Sequence, residues 1–160
     1  MAEKKDKVVI HTDGSCLSNP GPGGWAAKLS SKGKSKFVAG GFYLTTNNRM
    51  EIYAAIMGLE HLTRPCEVLL YSDSQYLCNA VEKRWLSNWQ KNSWRKSDKK
   101  PVLNRDLWEK LLVQLERHSV KFNWIRGHAG HKDNEDVDLL ARSWAQREAL
   151  PDDPGYTGEE

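Results

Sequence analysis

The sequence predicts an α/β fold, a mixed five-stranded sheet flanked by helices, and three observations carry that prediction. Residues 8–12 and 68–71 are short runs of β-branched and apolar residues, VVIHT and VLLY, and each delivers a carboxylate, Asp13 or Asp73, to its far end. Residues 25–44 hold two further runs, WAAKLSSK and KSKFVAGGFYL, parted by Gly33 in a charged turn, as in a hairpin that continues antiparallel from the first strand. Between that hairpin and residue 68 the apolar period changes from two to 3.6, so a helix separates two strands, and a strand, helix, strand unit makes those strands parallel neighbours.

In chain order, residues 1–7 are polar and expected to be flexible. After the first strand comes CLSNPGPGGW, a loop rich in Gly and Pro; since Asp-Gly is a common turn pair, Asp13 also reads simply as the start of a turn. In TTNNRMEIYAAIMGLEHL the residues Ile52, Ala55, Ile56, Leu59 and Leu62 recur at helical spacing, with Asn47 or Asn48 as N-cap. That places Glu51 in the first turn, at the favourable end of the helix dipole. Pro65 stops the helix, the second buried strand follows, and helical turns are expected over 74–82 and through WLSNWQK. Residues 104–118 form an amphipathic helix with Leu107, Leu111, Leu112 and Leu115 inward. Residues 121–125 are the last strand, RGHAGHKDN is a loop, and residues 135–148 form a final helix burying Val137, Leu140, Ala141, Trp144 and Ala145. The tail over 150–160, with Asp152, Asp153, Glu159 and Glu160 among prolines and glycines, reads as a mobile acidic segment.

At 160 residues with 39% hydrophobic, the chain suits one domain, residues 1–160. No apolar run approaches the roughly 18 residues of a membrane span and the start lacks an apolar leader, so no membrane association or secretion is expected. Three cysteines, odd in number and outside CxxC pairs, point to a reducing compartment, the cytoplasm, and away from a zinc site. The net charge is only +3, yet residues 83–100 hold seven basic residues against Asp98, a net of +6 that leaves −3 for the rest. Positive charge packed into one stretch while carboxylates gather elsewhere suits a polyanion that is both held and attacked.

Four acids carry the candidate chemistry: Asp13 and Asp73 at strand ends, Glu51 at a helix start, and Asp138 within the apolar stretch of the last helix. Brought together they would repel, so such a cluster is stable mainly around divalent cations, and oxygen ligands without Cys favour magnesium or manganese. Taken singly, each acid, Glu51 and Asp138 above all, reads as a cap or a solvated surface charge; that reading fails only if all four converge. His128, between glycines in GHAGH, has the near-neutral pKa that suits proton transfer; it reads otherwise as an exposed loop residue, and His131 is the alternative. Trp85 and Trp89 share a helical face with Trp94 just beyond and basic residues between, as on a nucleic-acid surface, although Trp at this spacing also packs inward.

With TDGSC, TTNNRME, SDSQY and GHAGHKDNEDVDLLA in this order, the sequence resembles the type 1, bacterial-type ribonuclease H family over residues 8–156. The resemblance implies the ribonuclease H-like sheet, three antiparallel strands then parallel ones. It implies an endoribonuclease that hydrolyses the RNA strand of RNA/DNA hybrids with two Mg2+ ions, or Mn2+ as a substitute, leaving 5′-phosphate and 3′-hydroxyl ends. One metal helps generate the attacking hydroxide and the other stabilises the departing 3′ oxygen. Residue by residue, Asp13, Glu51, Asp73 and Asp138 match the metal-binding acids and His128 the mobile histidine. Cys16, Asn19, Asn47, Asn48 and Gln75 match contacts to the minor groove and 2′-hydroxyls, which distinguish RNA from DNA. The segment with Trp85 and Trp89 matches a basic protrusion gripping the DNA strand, and Thr46 and Asn104 match a DNA-phosphate pocket that here has Leu44 where relatives often carry arginine. Gly14 is expected to let the substrate strand come close. The absence of an obvious sticky helix face suggests a monomer.

Two rivals stand against this reading, the first from another class and the second nearer. A non-catalytic nucleic-acid-binding module would keep the basic face, but has no use for clustered negative charge beside phosphates. Another nuclease or an integrase on the same architecture would share the acids, whereas the TTNN, Asn19 and Gln75 positions favour hybrids.

Overall fold

The computed structural model describes residues 5–127 and 129–158. Its strands are β1 (Asp6–Cys16), β2 (Gly21–Ser31), β3 (Lys34–Thr45), β4 (Cys66–Ser72) and β5 (Ser119–Trp124). Its helices are α1 (Asn47–Glu60), α2 (Gln75–Glu82), α3 (Trp85–Lys91), α4 (Arg105–Arg117) and α5 (Lys132–Ala145). The sheet runs β3-β2-β1-β4-β5, with β1, β2 and β3 antiparallel and β4 and β5 parallel to β1. This is the mixed sheet that the sequence predicts.

Ile10 of β1, Val68 and Leu70 of β4, and Phe122 of β5 form one core with Ile52, Ile56 and Leu59 of α1 and Leu107, Trp108 and Leu111 of α4. Helix α1 is apolar around most of its circumference, as a helix lodged between a sheet and a second helix must be. Ala26 of β2 packs with Val137 and Ala141 of α5 in a second cluster. Trp108, fully buried beside Leu107, falls outside the leucine pattern that marks this helix in the sequence. Among the described residues, no helix is long and apolar enough to cross a membrane.

The structure corrects several boundaries. Asp6 and Lys7, placed in the flexible start, already belong to β1, and β1 does not stop at Asp13: its ladder with β2 continues to Cys16 opposite Gly23. The N-cap of α1 is Thr46, not an asparagine; its hydroxyl accepts from the Arg49 N–H at 3.2 Å, so Glu51 falls one turn into the helix. Helix α1 closes at Glu60, ahead of Pro65. Helix α5 begins at Lys132 rather than residue 135, which sets Asp138 nearly two turns inside.

The largest correction concerns the tail expected to be mobile. Beyond Leu150, Pro151 accepts a backbone hydrogen bond from Tyr43 at 2.8 Å, and Asp153 is buried, its carboxylate accepting from Thr45 Oγ1 at 2.7 Å and from Arg49 Nε at 2.7 Å. The Arg49 guanidinium also forks onto Asp106 of α4 at 2.8 and 2.9 Å. Burial alone would lower the Arg49 pKa; Asp106 and Asp153 more than reverse this and hold the guanidinium charged. One arginine thus ties together α1, α4 and the segment after α5. Glu159 and Glu160 lie outside the described residues.

Candidate active site

The site is built where the parallel pairing of β1 and β4 ends. The last residues in that register are His11 and Tyr71, and Asp13 and Asp73 each stand two residues beyond them. Beyond that point β1 follows β2, leaving the β4 side open. Glu51 reaches in from α1, and the three carboxylates offer oxygens within 4.8 Å of one another.

Backbone geometry holds this convergence. The Gly14 N–H donates to Glu51 Oε1. A Cβ at Gly14 would lie 2.5 Å from the Glu51 nitrogen, so β1 and α1 touch through bare backbone. The glycine is therefore required by the helix behind it, a role distinct from the expected approach of substrate, though Gly14 does line the cleft. Asp73 is fixed from β5: Trp124 Nε1 donates to the Asp73 carbonyl at 2.9 Å, and a Cβ at Gly127 would lie 2.8 Å from Asp73 Oδ2. Ser74 caps α2 by accepting from the Leu77 N–H at 3.1 Å, which turns the chain sharply after Asp73.

Asp138 enters the same cleft from α5 but stands outside the set of three. It acts on Asp13 by hydrogen bonding and charge, and its Oδ2 accepts from Arg142 Nη2 at 2.5 Å. The open depression, about 490 Å³, is lined by all four acids together with Cys16, Asn47, Asn48, Gln75 and Tyr76. His128 lies outside the described residues.

The electrostatics are unbalanced. Burial, then the charges of Asp73 and Asp138, push the Asp13 carboxyl up to about 8, although its hydrogen bond with Glu51 works the other way. Burial and the Asp13 charge drive Glu51 well above the usual carboxylate range, more than the Gly14 N–H offsets. Among the described residues, none of Asp13, Glu51 and Asp73 is in a salt bridge. Buried carboxylates with no protein counter-charge and only oxygen donors fit hard divalent cations.

The remaining predicted contacts divide. Asn47 Oδ1 accepts from the Cys16 N–H at 2.9 Å and Asn19 Oδ1 from the Asn47 N–H at 3.1 Å, a chain of amides bracing the rim. Thr46 is buried at its cap, and Asn104 accepts from Arg49 Nη1 at 3.3 Å and donates to the Tyr76 hydroxyl at 3.4 Å, so both converge on Arg49 away from the acids. The seven basic residues over 83–100 are all exposed. Trp85 points outward from α3, but Trp89 is half-buried with its ring centroid 5.7 Å from that of Trp108, and Trp94 is buried. Sequence reasoning missed Arg49, Trp124, Gly127 and Arg142. For Arg49 a signal existed, since a charged residue beside Met50 on the inward side of α1 demands a partner.

A family model described as RNase H matches residues 5–146. A relative from Nitratidesulfovibrio vulgaris (strain DP4), named ribonuclease H, is 60% identical over 150 residues, covering 94% of this chain and 96% of its own length. Among solved structures, LC9-RNase H1, a type 1 RNase H with the type 2 active-site motif, superposes with a TM-score of 0.81 at 28% identity, covering 91% of this chain and 74% of that one. LC11-RNase H1, solved in complex with an RNA/DNA hybrid, shares the fold with a TM-score of 0.64 at 22% identity, covering 85% of this chain and 94% of that one. The matched family model and the closely similar relative, spanning the strands, helices and acids just described, show that this chain belongs to the ribonuclease H family.

Proposed function

We propose that this protein is an endoribonuclease that hydrolyses the RNA strand of RNA/DNA hybrids with divalent cations, Mg2+ foremost, leaving 5′-phosphate and 3′-hydroxyl ends. The observation that carries the reading is the convergence of Asp13, Glu51 and Asp73 within 4.8 Å, largely buried yet open to one cleft. A protein pays heavily to bring these carboxylates together without cations, and a pure binding module has no need to.

Asp13, Glu51, Asp73 and Asp138 would hold the metal ions. Bound there, Mg2+ supplies Lewis-acid stabilisation of charge on the phosphodiester oxygens and lowers the pKa of water. The chain's own residues do the rest. The Gly14 N–H holds Glu51, the Trp124 indole holds the Asp73 backbone and Gly127 packs against the Asp73 carboxylate, so little reorganisation is needed at the moment of reaction. Asn47, Asn48 and Gln75, amide-bearing and on the cleft wall, present neutral donors and acceptors suited to 2′-hydroxyls and base edges. The exposed basic residues over 83–100, with Trp85, offer charge and a ring to the DNA strand, while Asn104 takes one of its phosphates, the buried Thr46 being out of reach. His128 moves a proton at the leaving group or water. The same reading makes the protein a cytoplasmic monomer.

Incubation of the protein with Mg2+ and labelled hybrid, duplex RNA or duplex DNA tests the proposal. Cleavage confined to the RNA strand of the hybrid is expected; equal cleavage of duplex DNA would overturn it.

A further inference from the structure

Within the cleft, Asp138 differs from the other three acids in having a cation of its own. Asp13, Glu51 and Asp73 form the tight oxygen cluster, and Asp138 stands beside Asp13 at its edge. Its Oδ2 is occupied by Arg142 Nη2 at 2.5 Å, one helical turn further along α5. The carboxylate is mostly enclosed, at 17% exposed, whereas the arginine is 49% exposed and can swing to solvent. An acid four residues ahead of a base is the favoured order on a helix, so the pair forms readily. Such pairs are weak when half in water, and a weak pair can be exchanged.

We propose that Arg142 controls access of a cation to Asp138: the guanidinium occupies the carboxylate in the free protein and hands it over when a substrate phosphate offers Arg142 another anion. This rests on the function proposed above, because the handover needs a polyanion in the cleft. Two consequences follow from charge alone. In the free protein Arg142 and a divalent cation compete for one carboxylate oxygen, so removing the arginine favours the metal. In the complex the arginine adds one phosphate contact, so removing it lowers the salt dependence of hybrid binding. Arg142 is a positioning residue here, acting on the cation through Asp138.

Calorimetric titration of Mg2+ into the free protein, without nucleic acid, reads the first consequence. Arg142→Gln should tighten binding about two- to fivefold, the range set by partly exposed ion pairs, and Arg142→Lys should restore the original affinity by keeping a charge at the same helical position. Hybrid binding in the presence of a chelator reads the second: the slope of log K against log salt should fall by about one in Arg142→Gln. An unchanged or weaker Mg2+ affinity in Arg142→Gln overturns the competition, and an unchanged slope overturns the handover. If the proposed function itself were wrong, the wild-type protein would fail to cleave hybrid, while the calorimetry on free protein would still read the competition.

Discussion

Helix α1 carries two buried charges that meet opposite fates two residues apart. Arg49 points to one junction, where Asp153 and Asp106 surround it with four hydrogen bonds of 3.0 Å or less and its charge is fully matched. Glu51 points to the other, where it meets Asp13 and Asp73 and its charge is opposed. Both side chains have left water, and both sites cost desolvation. At the first junction the protein supplies the counter-charge and gains a tie among three distant segments. At the second no described residue supplies one, which destabilises the free protein and leaves a place for cations. A buried charge cluster that the chain balances is architecture; one that it leaves unbalanced marks the site of chemistry.

The sharpest break of that contrast is Asp13→Asn. It keeps the shape and removes the charge that the cleft is built around, so Mg2+-dependent cleavage should fall by about 10³-fold or more, a loss of several kcal/mol of transition-state stabilisation. Gel-shift binding to hybrid should survive; cleavage within tenfold of wild type would show that Asp13 is not at the centre. At the balanced junction the effect moves from activity to stability. Arg49→Met strands Asp153, whose side chain is only 2% exposed, and should cost about 3–5 kcal/mol, lowering Tm by roughly 10 °C. Adding Asp153→Leu should recover part of that loss, and thermal unfolding of the single and double variants reads both.

The third contrast is a difference in sign with pH. Burial works against Asp106, but its hydrogen bonds to Arg49 hold its carboxyl below the ordinary 3.8, so its contribution is present above about pH 4 and is lost as pH falls through the lowered value. Asp13 runs the other way: raised to about 8, it contributes stability below about pH 4 that is lost as pH rises toward 8. Denaturant midpoints measured across pH in a chelator should show the decline between about pH 4 and 8 flattened in Asp13→Asn and the decline below about pH 4 flattened in Asp106→Asn. Identical profiles for both variants would mean that the two junctions do not differ electrostatically.

The unbalanced junction was more legible in the sequence than the balanced one, for a physical reason. Asp13 and Asp73 follow runs of strand-forming residues, and a parallel register between those runs brings their ends together, so local periodicity and one topological rule suffice. The bond between Arg49 and Asp153 spans 104 residues and has no periodicity behind it. Asp153 sits in a stretch of Pro, Gly and acids whose composition reads as disorder, and the groups that hold that stretch, Arg49, Thr45 and the Tyr43 backbone, all lie far back in the chain. Gly14 was legible as a glycine but not in purpose, because what it avoids is a helix backbone 36 residues further along the chain, at Met50. Trp89 shows the limit of residue type: its spacing from Trp85 is that of a binding face, and whether it turns outward is settled by Trp108, which packs against it.

The central claim, that the cleft is left unbalanced for a cation, is tested most directly without substrate. Thermal unfolding of wild type and Asp13→Asn is followed at pH 8 in chelator and then in excess Mg2+. The account predicts that Asp13→Asn is the more stable of the two in chelator, that Mg2+ raises the wild-type Tm by the amount its occupancy dictates, and that the variant responds far less. A wild-type Tm indifferent to Mg2+, or a variant less stable than wild type in chelator, would contradict it.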